Sequence, residues 1–206
     1  MTEETESKLS NPHDALFKEY FSDREVALSF IQEYLPKEIN DHLAPETLKI
    51  SKDTFIDKNL TDFSSDILYE IKHGGQPLML YLLFEHKCYN DPMVGYQLLK
   101  YMVRIWEYHI KQSAVAPKTL PVILPMVIFH GPEGWTAGDR FGNLFSPTPG
   151  LEEYIPDFQF RFYDLSHIPD EAIRGEILLR IIFLTFKYSR HPEFFERLAG
   201  ILTLFN

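Results

Sequence analysis

Asp66 is followed nineteen residues later by Glu85-His86-Lys87, at the end of an apolar run. Strand side chains alternate faces, so Glu85 and Lys87 point the same way. The segment between reads as a β-hairpin: Asp66 to Lys72, a turn at His73-Gly74-Gly75-Gln76-Pro77, then Leu78 to Phe84. If the hairpin turns symmetrically about Gly75 and Gln76, Asp66 lies directly opposite Glu85, with Lys87 one step further on the same face. Two opposed carboxylates repel unless something positive sits between them. A divalent metal bound by hard oxygen ligands is the natural occupant, and a lysine beside it suits a hydrolytic water.

Acidic residues near strand ends are common, and an Asp with an E-x-K arises by chance in many chains. The strand that carries Glu85 is what favours a site. Leu78, Leu80, Leu82, Phe84 and His86 line one of its faces, and Met79, Tyr81 and Leu83 precede Glu85 on the other. A strand apolar on both faces that ends in Glu and Lys carries a desolvation cost, and such costs concentrate at functional sites.

The elements around the hairpin follow from periodicity. Leu16, Phe17, Tyr20 and Phe21, then Ala27, Leu28, Phe30, Ile31, Tyr34 and Leu35, have helical spacing, with a break at Ser22-Asp23-Arg24 and an end at Pro36. Asn11-Pro12 caps the first of these helices. A strand is expected around Leu48 to Ile56. From Pro92 to Gln112 the pattern is helical, with Leu98, Leu99, Met102, Val103, Trp106 and Ile110 as the buried stripe. Gln97, Lys100, Arg104, Glu107 and Lys111 form a polar stripe. Glu107 and Lys111 read as a solvated pair, whereas Gln97, Lys100 and Arg104 lie in the half nearest Glu85 and look toward the site. Pro121 to Phe129 reads as a buried strand, although its two prolines sit awkwardly in a fully paired central strand. Strand, helix, strand in that order predicts a crossover unit. A further strand is expected near Phe158 to Tyr163, a helix from Pro169 to about Tyr188, and a last one from His191.

At 206 residues, 45% hydrophobic and 15% aromatic, the chain suits one domain with a substantial core. The expected organisation is a flexible tail over 1–10, a core over 11–165, and a helical segment of the same domain over 166–206. Cys88 is the single cysteine. Internal disulfides and Cys-rich zinc sites are therefore excluded, and a reducing, cytoplasmic setting is expected. The acidic start, Met1 to Glu6, is unlike a signal peptide. Leu120 to Phe129 is too short to span a bilayer, so no membrane is expected. The net charge of −10 argues against a simple nucleic-acid-binding module but leaves room for a metal-dependent enzyme acting on phosphodiesters. His13, His86 and His130 match no zinc spacing and read as structural histidines. Cys88 reads as a small half-buried residue rather than a nucleophile. The Gly74-Gly75 and Gly131–Gly134 pieces fit no phosphate-cradling template.

Five blocks together resemble a known family: Asn11 to Phe21, Ser65 to Tyr69, Tyr81 to Lys87, Leu98 to Glu107, and Pro125 to Gly131. They are similar, in the same order, to the Rpn family of recombination-promoting nucleases, whose members are also labelled transposases. The resemblance runs from Asn11 to at least Asp164. It implies a bacterial protein of the PD-(D/E)xK nuclease superfamily. The fold implied is α/β, a restriction-endonuclease-like mixed sheet flanked by helices, with an α-β-β-β-α-β core. By that resemblance Asp66 matches the second-strand aspartate, Glu85 the third-strand carboxylate, and Lys87 the catalytic basic position. Many relatives carry Gln at the last of these, so a lysine makes activity more plausible. Gln97 matches a polar position that completes such sites, and Asp14 lies where an extra acidic ligand is added.

The chemistry implied is DNA phosphodiester hydrolysis, linked to recombination or mobile elements. Asp66, Glu85 and the backbone carbonyl of His86 would hold Mg²⁺, Mn²⁺ or Ca²⁺. Lys87 would orient or deprotonate the water, and Lys100 and Arg104 would hold DNA phosphates. A homodimer is a further expectation. Family members often run longer, so the chain is expected to be a short member. The competing class is a non-catalytic nuclease-fold module that contacts DNA or protein.

Overall fold

The computed structural model describes residues 12–51, 65–85, 91–113, 115, 117–131, 134–146, 149–189 and 194–203. The expected tail over 1–10, the Asn11 cap, residues 52–56 of the expected strand, and Cys88 lie outside them.

Helices α1 (Pro12–Phe21) and α2 (Arg24–Tyr34) are separated by a break at Asp23, whose side chain accepts the N–H groups of Glu25 and Val26. This is an ordinary N-cap. After the short helix α3 (Lys37–Asn40) comes strand β1, which spans Leu43–Ser51. It therefore begins five residues before the expected Leu48. Its early start is anchored by the Gly74 N–H donating to the His42 carbonyl, and by Arg24, whose guanidinium donates to the Leu48 and Pro45 carbonyls. Pro45 has no N–H to give the ladder, and the register against the next strand shifts between Ala44 and Lys49. Thr47 Oγ1 fills the gap, accepting from Lys72 N–H at 2.9 Å and donating to the Ala44 carbonyl at 2.6 Å.

Strands β2 (Ser65–His73) and β3 (Gln76–Glu85) form the hairpin, joined by Gly74 and Gly75 at φ 56° and 80°. Two successive positive φ values define a two-residue type I′ turn. Helix α4 (Val94–Gln112) crosses over to strand β4 (Val122–Phe129), which runs parallel to β3, and β5 (Arg161–Asp164) runs parallel to β4. The sheet order is β1-β2-β3-β4-β5, with the first two pairings antiparallel and the last two parallel. This is a mixed five-stranded sheet flanked by helices, an α/β fold consistent with a restriction-endonuclease-like domain.

β4 is interior despite its proline. β5 pairs only with Met126–Phe129, so Pro125 stands at the rim of that ladder, where a missing N–H is tolerated. Helix α5 covers Ile177–Tyr188, later than the expected start at Pro169. Asp170–Ala172 makes a 3-10 turn, and Gly175 follows at φ 110°. A Cβ there would lie 2.7 Å from Leu179 and 2.8 Å from the Ser29 hydroxyl, so the break requires glycine. Glu176 then caps α5 through the N–H groups of Leu178 and Leu179. Helix α6 (Phe194–Leu202) packs on α5.

Each sheet face has its own core. On one, Ile67, Tyr69 and Ile71 of β2, Leu78 and Leu80 of β3, and Met126 and Ile128 of β4 meet Phe17, Phe21, Phe30, Phe183 and Phe186 of α1, α2 and α5. On the other, Leu68, Met79, Tyr81, Ile123 and Val127 meet Val94, Leu98, Tyr101, Met102 and Ile105 of α4. Two members of the expected α4 stripe are corrected: Val103 and Ile110 are exposed. The buried face of α4 is centred on Leu98, Tyr101 and Ile105, which turns Val103 and Ile110 outward. No helix among the described residues is long and apolar enough to cross a membrane.

Candidate active site

The backbone places Asp66 second in β2 and Glu85 last in β3. Asp66 pairs with Leu83 rather than with Glu85. The expected direct opposition is thus corrected, because the turn is the two glycines alone and closes with His73 opposite Gln76. The correction shifts the pairing by two residues, and two is the period of the strand. Position 66 therefore keeps the face of Leu68, and position 85 keeps the face of Met79 and Tyr81, which is the face covered by α4. The two carboxylate residues occupy one face as diagonal neighbours, at positions roughly 7–8 Å apart in such a ladder.

The sheet end that holds Glu85 is also the carboxyl end of the parallel strands β3, β4 and β5. In open α/β sheets this end is where ligands bind. Glu85 pairs with Phe129, and Phe129 with Asp164, so a carboxylate of β5 closes the row on the same face. Trp135 and Phe162 stack at 4.5 Å beside Phe129 and wall this corner.

The side chains of Asp14, Asp66 and Glu85, and the whole of His86 and Lys87, lie outside the described residues. Gln97 is half-buried in the first turns of α4, one position before the core residue Leu98, and is thereby placed next to the shared face. Lys100 is exposed, its ammonium 5.7 Å from the Tyr96 ring centroid. Arg104 is exposed and pairs with Glu107 at 3.1 Å, so a phosphate would compete with that carboxylate. α1 packs on the opposite sheet face from α4, which puts Asp14 on an element that does not share the face of Asp66 and Glu85. Its neighbour His13 meets the buried His130 at a centroid distance of 5.5 Å, and both rings pack on Phe186. These histidines belong to the α1 side of the core.

A pair that the sequence reading passed over lies at the end of β5. Asp164 Oδ2 contacts His167 Nδ1 at 2.8 Å, and its Oδ1 accepts the Ser166 N–H at 3.0 Å. Acid and histidine three apart just after a strand was the available signal. Among the described residues no group of three His, Cys, Asp or Glu side chains is placed to hold a metal ion. Asp and Glu supply the hard oxygen donors a divalent cation takes, so the residue types at positions 66 and 85 fit such an ion.

Against this geometry stand the comparisons with known proteins. The family model described as "Putative transposase, YhgA-like" matches residues 11–206. The chain belongs to that family. It is 27% identical to the Recombination-promoting nuclease RpnD of Escherichia coli O157:H7 over 95% of its own length and 74% of the relative's. It is also 27% identical to the Recombination-promoting nuclease RpnA of Escherichia coli K12, over 94% of this chain and 66% of that one. At 24% identity it matches, over 97% of its length, a K12 relative named Inactive recombination-promoting nuclease-like protein RpnE. The chain thus spans about two thirds to three quarters of the length of these relatives. No solved structure matches it significantly.

Proposed function

We propose that the chain is a metal-dependent DNA endonuclease of the PD-(D/E)xK type, acting in recombination or on mobile elements. The observation that carries the reading is the placement of Asp66 and Glu85 on one sheet face, at the carboxyl end of the parallel strands, under the start of α4. Diagonal positions suit one shared cation, since carboxylate oxygens bind Mg²⁺ at about 2.0–2.1 Å and Ca²⁺ at about 2.3–2.6 Å and the side chains can lean together. Asp66, Glu85 and the His86 carbonyl would hold Mg²⁺, Mn²⁺ or Ca²⁺, which when bound polarises a phosphoryl oxygen and acidifies water.

The chain's own residues supply the rest of the reading. Lys87 places a cation two residues after Glu85 to orient the attacking water or offset charge on the phosphorane. Gln97 would donate or accept at the water from the first turns of α4. Lys100 and Arg104 would position neighbouring phosphates without reading bases. Asp14 would join the ligand set by reaching around the sheet end from α1, which packs on the other face. DNA as partner and the cytoplasm as compartment go with this reading, and the proposed homodimer is checked by light scattering.

The competing reading, a nuclease fold without turnover that contacts DNA or protein, is favoured by the relative named inactive. Nicking of supercoiled plasmid separates the two. With Mg²⁺ or Mn²⁺ the native chain should nick, and Asp66→Ala and Glu85→Ala should each reduce nicking at least a thousandfold. Thermal unfolding without metal should stay level or rise, because removing one of two like charges relieves repulsion. Equal nicking by the double variant would assign the activity to something else, and a native chain that binds DNA without nicking would favour the module.

A further inference from the structure

We propose that His167, held by Asp164, is a phosphate-contacting residue of the same site and grips the DNA strand beside the scissile bond. This rests on the nuclease reading above. The register runs Glu85, Phe129, Asp164 straight across β3, β4 and β5, so the three positions share the face that α4 covers. Two strand spacings, roughly 9–10 Å, separate the first position from the last. That is too far for Asp164 to join a cation between Asp66 and Glu85, and it is in range of a neighbouring phosphate on the same nucleic-acid strand.

The local hydrogen bonds show what Asp164 does there. Both carboxylate oxygens are used, one by the Ser166 N–H and one by His167 Nδ1. The Asp164 side chain is 17% exposed while His167 is 61% exposed, so a largely sheltered carboxylate holds an outward imidazole. With Nδ1 engaged, Nε2 is the ring atom left for a ligand. An imidazole carrying both protons donates through both nitrogens, Nδ1–H to the Asp164 carboxylate and Nε2–H to a phosphate oxygen. The loop after β4 leaves room for this ring. A Cβ on Gly134 would come within 3.3 Å of its Cε1, tighter than ordinary contact, so a glycine lets the backbone pass close to the imidazole. Carboxylate-oriented histidines facing solvent are a recurrent way to fix a donor before a ligand arrives.

The test is steady-state nicking of supercoiled plasmid with Mg²⁺ by the native chain, Asp66→Ala, His167→Ala, His167→Gln and Asp164→Asn, with thermal midpoints as folding controls. His167→Ala should raise KM for DNA about tenfold, the loss expected of one charge-assisted contact, while kcat changes less than threefold. His167→Gln, which returns a donor near the Nε2 position, should recover at least half of that loss on a logarithmic scale. Asp164→Asn should raise KM by less than His167→Ala. Native KM in folded His167→Ala, or no recovery by His167→Gln, overturns the phosphate role and leaves the nuclease reading standing. Native KM in Asp164→Asn beside a raised KM in His167→Ala overturns the holding role of Asp164. No difference between the native chain and Asp66→Ala overturns the nuclease reading and the role of His167 with it.

Discussion

At the scale of single residues, a polar cluster ties the 3-10 turn that precedes α5 to the last turn of that helix. Lys187 Nζ donates to Asp170 Oδ1 and to the Ile168 carbonyl, both at 2.6 Å, and the Tyr188 hydroxyl donates to both Asp170 oxygens. Partial burial pushes the Asp170 carboxyl up, but the bonds from Lys187 and Tyr188 and the Lys187 charge outweigh it, so the carboxyl sits below its ordinary 3.8. A carboxyl depressed in the folded state adds stability that is present above its unfolded value and lost as pH falls through the folded one. Asp170→Asn should therefore cost about 1 kcal/mol near pH 7, a modest figure because the carboxylate is 38% exposed and solvent screens it. Denaturant titrations of both proteins should converge below the usual carboxylate range. A gap that stays constant down to pH 2 would show that packing, and not charge, sets the cost.

At the scale of elements, the hairpin between β2 and β3 determines where the candidate carboxylates stand. Gly74 and Gly75 both occupy the left-handed region, with open space around their would-be Cβ atoms. The cost of a side chain there is backbone strain alone. Gly75→Val should destabilise by about 1–2 kcal/mol in thermal or urea unfolding. Native backbone exchange along β2 and β3 should persist, because eight further pairs hold the register beyond the His73–Gln76 closure. A neutral substitution would mean that the turn is not type I′ in solution.

At the scale of the whole molecule, the two cores are unequal. The face toward α1, α2 and α5 carries the larger aromatic cluster, in which Phe183 meets Phe21, Phe30 and Tyr34 at centroid distances of 5.2–6.2 Å. Phe183 is fully buried and joins the C-terminal helix to the sheet and to the N-terminal helices. Phe183→Ala should cost about 3–5 kcal/mol. Fluorescence and circular dichroism should still report one coincident transition, since α5 shares its core with β2. Two separated transitions would show that α5 and α6 form an independently folding unit.

Much of this was legible in the residues themselves, wherever a local pattern has one physical solution. The capping Asp23, the helical spacing through α4, and the twin glycines of the hairpin each specify their element through contacts within a few positions. The family blocks likewise made Asp66 and Glu85 the candidate ligands. Register was less legible: a turn one residue off its expected centre moved Asp66 from Glu85 to Leu83, and only the period of two kept both on one face. Tertiary packing decided what no local pattern carries. It turned Val103 and Ile110 outward by aiming α4 through Leu98, Tyr101 and Ile105, and it gave α1, with Asp14, to the opposite face. It also laid β5 parallel to β4, so that Asp164, nearly eighty residues from Glu85 in sequence, closes the same row. Contacts between strands so far apart depend on how the sheet is ordered, and that order is set by burying two apolar faces at once rather than by any single stretch of chain.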